Sequence, residues 1–409
     1  MRIFASLNQC TMSQNTYLES KPHYEILDGL RGVAAFIVVC FHLFESYGGR
    51  ANTIGHGYLA VDFFFALSGF VIGYAYDDRW NKMTTWGFFK RRLVRLHPMV
   101  ILAATLAMLF YYFTDGVPAF HIVRETAPWV LFGVFLWQCL MIPLPQAWDI
   151  RGYAEVSSLG GTFWTLHYEY FANFIYALFV RRFNKIGLWI FVAICAVFSF
   201  CLANQIDILG LWGHRWARYS MNSGFSLTVS EVSVALTRLM YPFFAGLLVS
   251  RMGWLIKVKG GFWWCSLLVA ILLIMPPVGV NDAHFDFETR SMVIGANDSM
   301  WMNGIYESFV ILLMFPLIVS MGAGSKVVGK KSSAICKFLG ELSYPLYLTH
   351  FSLVYIQQSW VATHQDSTFA QHAFVFVAVL VLSILQAYAC LKLYDLPIRE
   401  WLKEKWLKK

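Results

Sequence analysis

An all-α polytopic membrane protein is the fold class this sequence predicts, and three observations carry that expectation. The 409 residues are 58% hydrophobic and only 14% charged, whereas an ordinary soluble domain carries about 25% charged residues. A chain so poor in charge cannot solvate a closed surface in water, so much of its surface faces lipid. Apolar runs of membrane-crossing length then recur along the chain, one helix needing about 20 mainly apolar residues to span the hydrocarbon. Finally, the basic residues cluster in the short polar stretches between those runs.

Eleven apolar segments are expected to be helical: 30–47, 58–76, 98–114, 128–143, 161–180, 188–205, 232–250, 262–281, 304–322, 338–358 and 373–393. The basic runs are Lys90-Arg91-Arg92 with Arg95, Arg181-Arg182 with Lys185, Arg251 with Lys257 and Lys259, Lys326 to Lys337, and the tail from Arg399. Cytoplasmic loops are enriched in Lys and Arg, which explains the formal charge of +8 without an anionic macromolecular partner. Nucleic acid is excluded as a partner because the cations form short clusters, not a continuous surface. Placing every cluster inside requires the stretch 98–143 to cross an odd number of times. One of its two segments is therefore expected to be re-entrant or to lie along the surface. That leaves ten transmembrane helices and two cytoplasmic termini. Residues 1–25 become a cytoplasmic tail, 26–398 the membrane domain and 399–409 a basic tail. Loops 144–160, 206–231, 282–303 and 359–372 face outward, and Trp212, Trp216 and Tyr219 there could stack on sugars or form an interfacial belt. The eight cysteines lack CxxC or Cys/His spacing, so neither a zinc site nor a disulfide framework is expected.

Ionisable residues inside spans are costly and mark sites or pathways. In the first segment Arg31 and His42 stand eleven residues apart. That is about three turns and about 16 Å of rise, so they share one face. An arginine there can hold an anion, and a histidine can serve as a base near neutral pH. Spacing alone equally allows a snorkelling arginine and a packing histidine. Asp62, in the second segment, could orient His42 or simply be solvated at the interface. Arg91, Arg92 and Arg95 at the inner surface suit a phosphorylated ligand, although a plain topology signal looks the same. Pro98 fits the first turn of the helix that follows. Glu169 lies about two turns into the fifth segment and needs a cationic partner from another span. His350 falls near mid-membrane, on one face with Ser343; a buried histidine bonded to a neighbouring helix would read the same.

These residues lie in stretches that together resemble acyltransferase family 3, the membrane O-acyltransferases that include bacterial O-acetyltransferases of surface polysaccharides. The stretches are Leu27-Asp28-Gly29-Leu30-Arg31-Gly32 with His42, Asp62-Phe63-Phe64-Phe65-Ala66-Leu67-Ser68-Gly69-Phe70, Arg91-Arg92-Leu93-Val94-Arg95 with Pro98, Trp164-Thr165-Leu166 with Glu169, and Leu339-Gly340-Glu341-Leu342-Ser343-Tyr344-Pro345 with His350. They occur in the family's order over nearly the whole chain. His97 stands where a tyrosine is common, and Tyr170 and Phe171 follow Glu169 where the family often has a second acid or amide.

The resemblance implies a ten-helix domain in the bacterial inner membrane that takes an acyl group, usually acetyl, from acyl-CoA on the cytoplasmic side. The acceptor implied is a hydroxyl of an envelope glycan or lipid-linked saccharide. His42 is the expected base, with Glu169 and Asp62 setting protonation and orientation. Arg31, Arg91, Arg92 and Arg95 are expected to hold the donor, and His350, Ser343 and Trp164 to support the substrates; no metal is expected. The alternatives are a proton-coupled transporter using His42, Glu169 and His350 as a relay, and a lipid- or ligand-sensing protein without chemistry. Neither paired broken helices nor an internal repeat favours the transporter.

Overall fold

The structure is a computed structural model and describes residues 23–47, 54–117, 120–213, 218–279, 283–286, 291–294 and 299–407. Cys10, Trp216 and nearly all of the expected tail 1–25 lie outside those residues.

The described residues form a helical bundle. Its helices are α1 (Glu25–Glu45), α2 (Ala60–Tyr76), α3 (Thr85–Leu109), α4 (Pro128–Cys139), α5 (Phe163–Leu178), α6 (Lys185–Ala203), α7 (Val229–Met252) and α8 (Gly261–Ile274). After a short antiparallel hairpin, β1 (Ala283–Asp286) and β2 (Ser291–Ile294), come α9 (Trp301–Phe309) and α10 (Phe315–Gly324), joined through a π turn at Val310–Met314. The chain continues as α11 (Lys330–Thr349), α12 (Phe351–Thr363) and α13 (Phe369–Cys390), then through a π turn at Leu391–Asp395 into α14 (Leu396–Leu402). Local chemistry sets several starts. Thr84, Asn184 and Thr228 cap α3, α6 and α7 by accepting a backbone N–H in the first turn, and Thr368 with Gln371 closes a capping box on α13.

Seven helical stretches among the described residues are long and apolar enough to cross a membrane: α1, Gly57–Tyr76, α3, α6, α7, Trp301–Gly324 and Phe369–Leu407. Helices α4 and α8 are apolar but shorter. The lipid-facing side is visible on α6, where Ile186, Ile190, Ile194 and Val197 recur at helical spacing and are exposed. One expected boundary is corrected. Pro98 lies inside α3, because that helix begins at the Thr84 cap and carries Lys90–Arg95 as helical residues.

Close backbone approach builds the centre. At the crossing of α2 and α7, a methyl group on Gly69 would overlap the carbonyl of Phe243, and one on Gly246 the carbonyl of Ala66. Side chains there would force the helices apart, so the small residues fix the crossing. Gly32 does the same for α1 against Leu339 of α11.

That crossing sets Asp62 of α2 beside Arg238 of α7. Arg238 Nη2 donates to Asp62 Oδ2 at 2.6 Å and Nε to Oδ1 at 3.3 Å, with side-chain exposures of 1% and 0%. Arg238 also donates to the carbonyls of Ser223 and Tyr58, so all three of its nitrogens are engaged. Glu307 of α9 is likewise buried. It accepts from Tyr58 Oη (2.5 Å), Asn303 Nδ2 (2.8 Å) and the amide of Met221 (2.6 Å). Together these two groups fasten the segment 219–224 over the bundle.

The linkers after α2, α5, α7 and α10 meet at one end, called here the basic end. Arg251 donates to Asp77 and to the carbonyls of Val180 and Phe183, and Ile256 and Val258 bond to Ser320 and Ser325. At the opposite end Tyr111, just past α3, bonds both Thr126, before α4, and the carbonyl of Ile150, after it. The loop following α4 is keyed by Arg151. This buried residue bonds Ser158 and Thr114 and is boxed by the rings of Tyr111, Phe120 and Tyr355.

Candidate active site

A cavity of about 530 Å³ enters the bundle from the basic end, within the size range of small-molecule sites. Asp28 and Arg31 of α1, Arg92 and Arg95 of α3, Lys337 and Glu341 of α11 and Arg399 of α14 lie around its basic end. Ser68 of α2, Glu169 of α5 and Ser343 and Tyr344 of α11 line it deeper in. Val61, Phe64, Thr165 and Tyr347 close the inner end. Since Val61 and Thr165 stand in the first turns of α2 and α5, the chamber runs through most of the bundle.

The charges of this chamber are partly paired. Arg31 Nη1 donates to Asp28 at 3.0 Å, and Arg92 Nη2 to Glu169 Oε1 at 2.7 Å. Ser68 Oγ also donates to Glu169, at 3.3 Å. His23, ahead of α1, lies 2.9 Å from Asp28, and this hydrogen bond raises the histidine's pKa. Arg95 differs: among the described residues it has no hydrogen bond or ion pair, and it is exposed to the cavity. A free guanidinium flanked by paired ones is what an anionic ligand needs, because it can be neutralised without breaking an existing pair.

His42 sits beyond the inner end. Its Nδ1 lies 2.5 Å from Glu45 Oε2, one turn further along α1. Its ring stacks on His350 (centroids 5.5 Å, interplanar angle 25°) and packs against Phe351. His350 is wholly buried; its Nδ1 contacts the carbonyl of Leu346 at 3.0 Å, and its Nε2 has no hydrogen-bond partner among the described residues. Tyr347 stands between the chamber and the histidine pair. Its ring faces His350 (6.3 Å) and Phe64 (5.1 Å), and its hydroxyl lies 3.0 Å from Thr165 Oγ1. Thr165 gives its own proton to the carbonyl of Thr162, so the tyrosine is the donor in that pair. A carboxylate on Nδ1 leaves Nε2 of His42 as the basic nitrogen, the arrangement that suits proton abstraction.

The structure gathers Arg31, Arg92, Arg95, Glu169 and Ser343 around one chamber, and stacks His42 on His350 next to it. Arg91 does not line the chamber. Asp62 makes no hydrogen bond to His42; the α2–α7 crossing gives both its oxygens to Arg238. Trp164 packs over that same guanidinium, 5.3 Å from its centroid to the charge. Glu45, Arg238, Glu307, Tyr347 and Arg399 are the residues that sequence reasoning passed over. Glu45 was readable as the i+3 neighbour of His42, and Arg238 and Glu307 as charges inside apolar runs.

A family model described as an acyltransferase domain matches residues 24–388, a span holding most of the chamber's lining and the His42–His350 pair. The chain belongs to acyltransferase family 3. It is 34% identical over 178 residues to protein 2 in the picA locus of Rhizobium radiobacter, covering 42% of this chain and 90% of that protein. It is 21% identical over 390 residues to the O-acetyltransferase OatA of Staphylococcus aureus, covering 91% of this chain. The match spans only 57% of that staphylococcal protein. The acyltransferase MdmB of Streptomyces mycarofaciens is 26% identical over 170 residues, covering 39% of this chain and 40% of that protein. No solved structure matches. Membership of acyltransferase family 3 and similarity to an O-acetyltransferase support an O-acyltransferase activity.

Proposed function

We propose that this family 3 acyltransferase moves an acyl group, acetyl in the simplest case, from acyl-CoA to a hydroxyl of a cell-envelope glycan or lipid-linked saccharide, with His42 as the base. One observation carries the reading: a basic chamber and a carboxylate-paired histidine lie along one helix, with the chamber's inner end closed by Val61, Phe64, Thr165 and Tyr347 and the ring of Tyr347 facing His350, on which His42 stacks. Arg31, Arg92 and Arg95 are the groups that would meet the phosphates of coenzyme A, with Arg95 free to do so. The pantetheine arm would extend along Ser68, Glu169 and Ser343 towards Tyr347. His42 Nε2 would take the proton of the acceptor hydroxyl as its oxygen attacks the thioester carbonyl. The C–S bond then breaks, the CoA thiolate leaves and accepts the proton from His42, and the ester departs. Glu45 stabilises the transient imidazolium.

In this reading the chain crosses the bacterial inner membrane ten times, with both termini in the cytoplasm. The crossings are α1, α2, α3, α5, α6, α7, α8, α9–α10, α11–α12 and α13. The contacts of Tyr111 with both flanks of α4 support a helix that enters and leaves at one end, and its 12 residues rise only about 18 Å. Segment 128–143 is therefore the re-entrant one. The basic end then faces the cytoplasm, where acyl-CoA is made, and His42, in the last turn of α1, lies towards the outer face.

The test is mass spectrometry of lipids and envelope glycans from cells with and without the protein. An added acyl mass that depends on the protein supports transfer. Unchanged masses, together with exchange of labelled glycan across proteoliposomes lacking acyl-CoA, would point to a transporter instead.

A further inference from the structure

Beyond residue 388, where the family match ends, the chain still contributes to the chamber: Leu391, Leu396 and Arg399 line it. In a regular α-helix residues i and i+5 point about 140° apart, at about 100° per residue. The π turn at Leu391–Asp395 absorbs the extra residue and brings Leu391 and Leu396 onto one face, the chamber's. Lys392 Nζ ties this turn to Glu341 of α11 at 3.3 Å. Arg399 is held by Asp395: Nε donates to Oδ1 at 2.8 Å, and Nη2 bonds Oδ2. The pair is asymmetric. The Asp395 side chain has 0% exposure, whereas Arg399 keeps 22%. A carboxylate wholly covered behind a guanidinium partly open to a cavity presents its positive end to whatever enters, with Nη1 still available as a donor.

We propose that Arg399 is a further phosphate anchor for the coenzyme A donor, so that the C-terminal helix, outside the family's own domain, forms one wall of the donor site. The inference rests on the acyl-CoA reading above. It makes donor affinity depend on a segment whose aim is set by the π turn and by Asp395.

The test is equilibrium binding of CoA, and of pantetheine, which lacks the nucleotide phosphates, to the full chain in lipid nanodiscs. Arg399→Ala should weaken CoA by roughly tenfold, the scale of one charge-assisted hydrogen bond, and leave pantetheine unchanged. Arg399→Lys should recover part of the loss. Because Arg399→Ala strips the buried Asp395 of its partner, the Asp395→Asn/Arg399→Ala double variant is measured too and should show the same selective loss. A CoA affinity within twofold of wild type in both variants, or an equal loss for pantetheine, would overturn the role of Arg399 while leaving acyl-CoA as the donor. Wild-type protein that binds no CoA would instead overturn the donor reading, and this inference with it.

Discussion

Replacing Arg238 by methionine should destabilise the fold by about 3–5 kcal/mol, the cost of leaving one member of a buried ion pair alone. The contacts set that scale. The guanidinium holds both oxygens of a carboxylate with no solvent access, and also the carbonyls of Tyr58 and Ser223. Methionine keeps most of the volume and supplies none of these donors, so Asp62 must either remain charged in an apolar crossing or take up a proton. Asp62→Asn should be costly for the converse reason. Asp62→Leu combined with Arg238→Met removes both charges and should recover most of the loss, because apolar replacement of a whole buried pair is close to neutral. Melting of the detergent-solubilised protein, followed by tryptophan fluorescence for wild type, Arg238→Met, Asp62→Leu and the double variant, measures the coupling directly. If Asp62→Asn abolished acyl transfer while the melting temperature of both single variants stayed at the wild-type value, Asp62 would belong to the chemistry and the structural assignment would be wrong.

Two other outcomes follow from charges in different settings. Arg95→Ala should raise the KM for acyl-CoA by roughly 10- to 150-fold with kcat much less affected, since a free guanidinium that meets donor phosphates contributes about 1.5–3 kcal/mol to binding; initial-rate kinetics over a range of acyl-CoA would show an unchanged KM if the residue were only a topology signal. Glu155, in the loop after α5's predecessor, has its carboxyl pushed up to about 8, first by burial and then by the neighbouring Asp149. Its neutral form is favoured in the folded state, so its effect on stability is absent below about pH 4.5, where both states are protonated. The penalty grows as pH rises towards 8, where only the unfolded chain ionises freely, and is constant above that. Glu155→Gln should therefore melt progressively higher than wild type from pH 5 to 8, and parallel melting curves across that range would contradict the assignment.

Much of the bundle was legible because composition and basic clusters are themselves the physics of a chain in lipid. The chamber was partly legible for a related reason: Arg31 and Glu169 are too costly in apolar segments to lack partners or ligands, Arg92 and Arg95 stand in a cationic cluster at the inner surface, and the demand of Glu169 for a cation is met by Arg92. What could not be read were pairings decided by helix crossings. Asp62 and Arg238 stand 176 residues apart, and only the close helix crossing, Gly69 against Phe243 and Gly246 against Ala66, makes them neighbours, so Asp62 was matched to His42 when a nearer acid, Glu45, was available on the same helix. Pro98 misled for a local reason, since the Thr84 cap lies far enough upstream to carry the helix through it. Arg399 was missed because the last apolar segment ends at 393 and the residue was assigned to a basic tail, whereas the π turn at Leu391–Asp395 carries the helix on to the chamber wall.

The central claim is that His42 moves the proton of the acceptor hydroxyl, and it is tested most directly by His42→Ala in proteoliposomes loaded with acyl-CoA and supplied outside with envelope glycan or lipid-linked saccharide. Acyl transfer should fall by about 10²–10⁴-fold while CoA binding at the basic end stays at the wild-type level. Transfer by His42→Ala at the wild-type rate would contradict it.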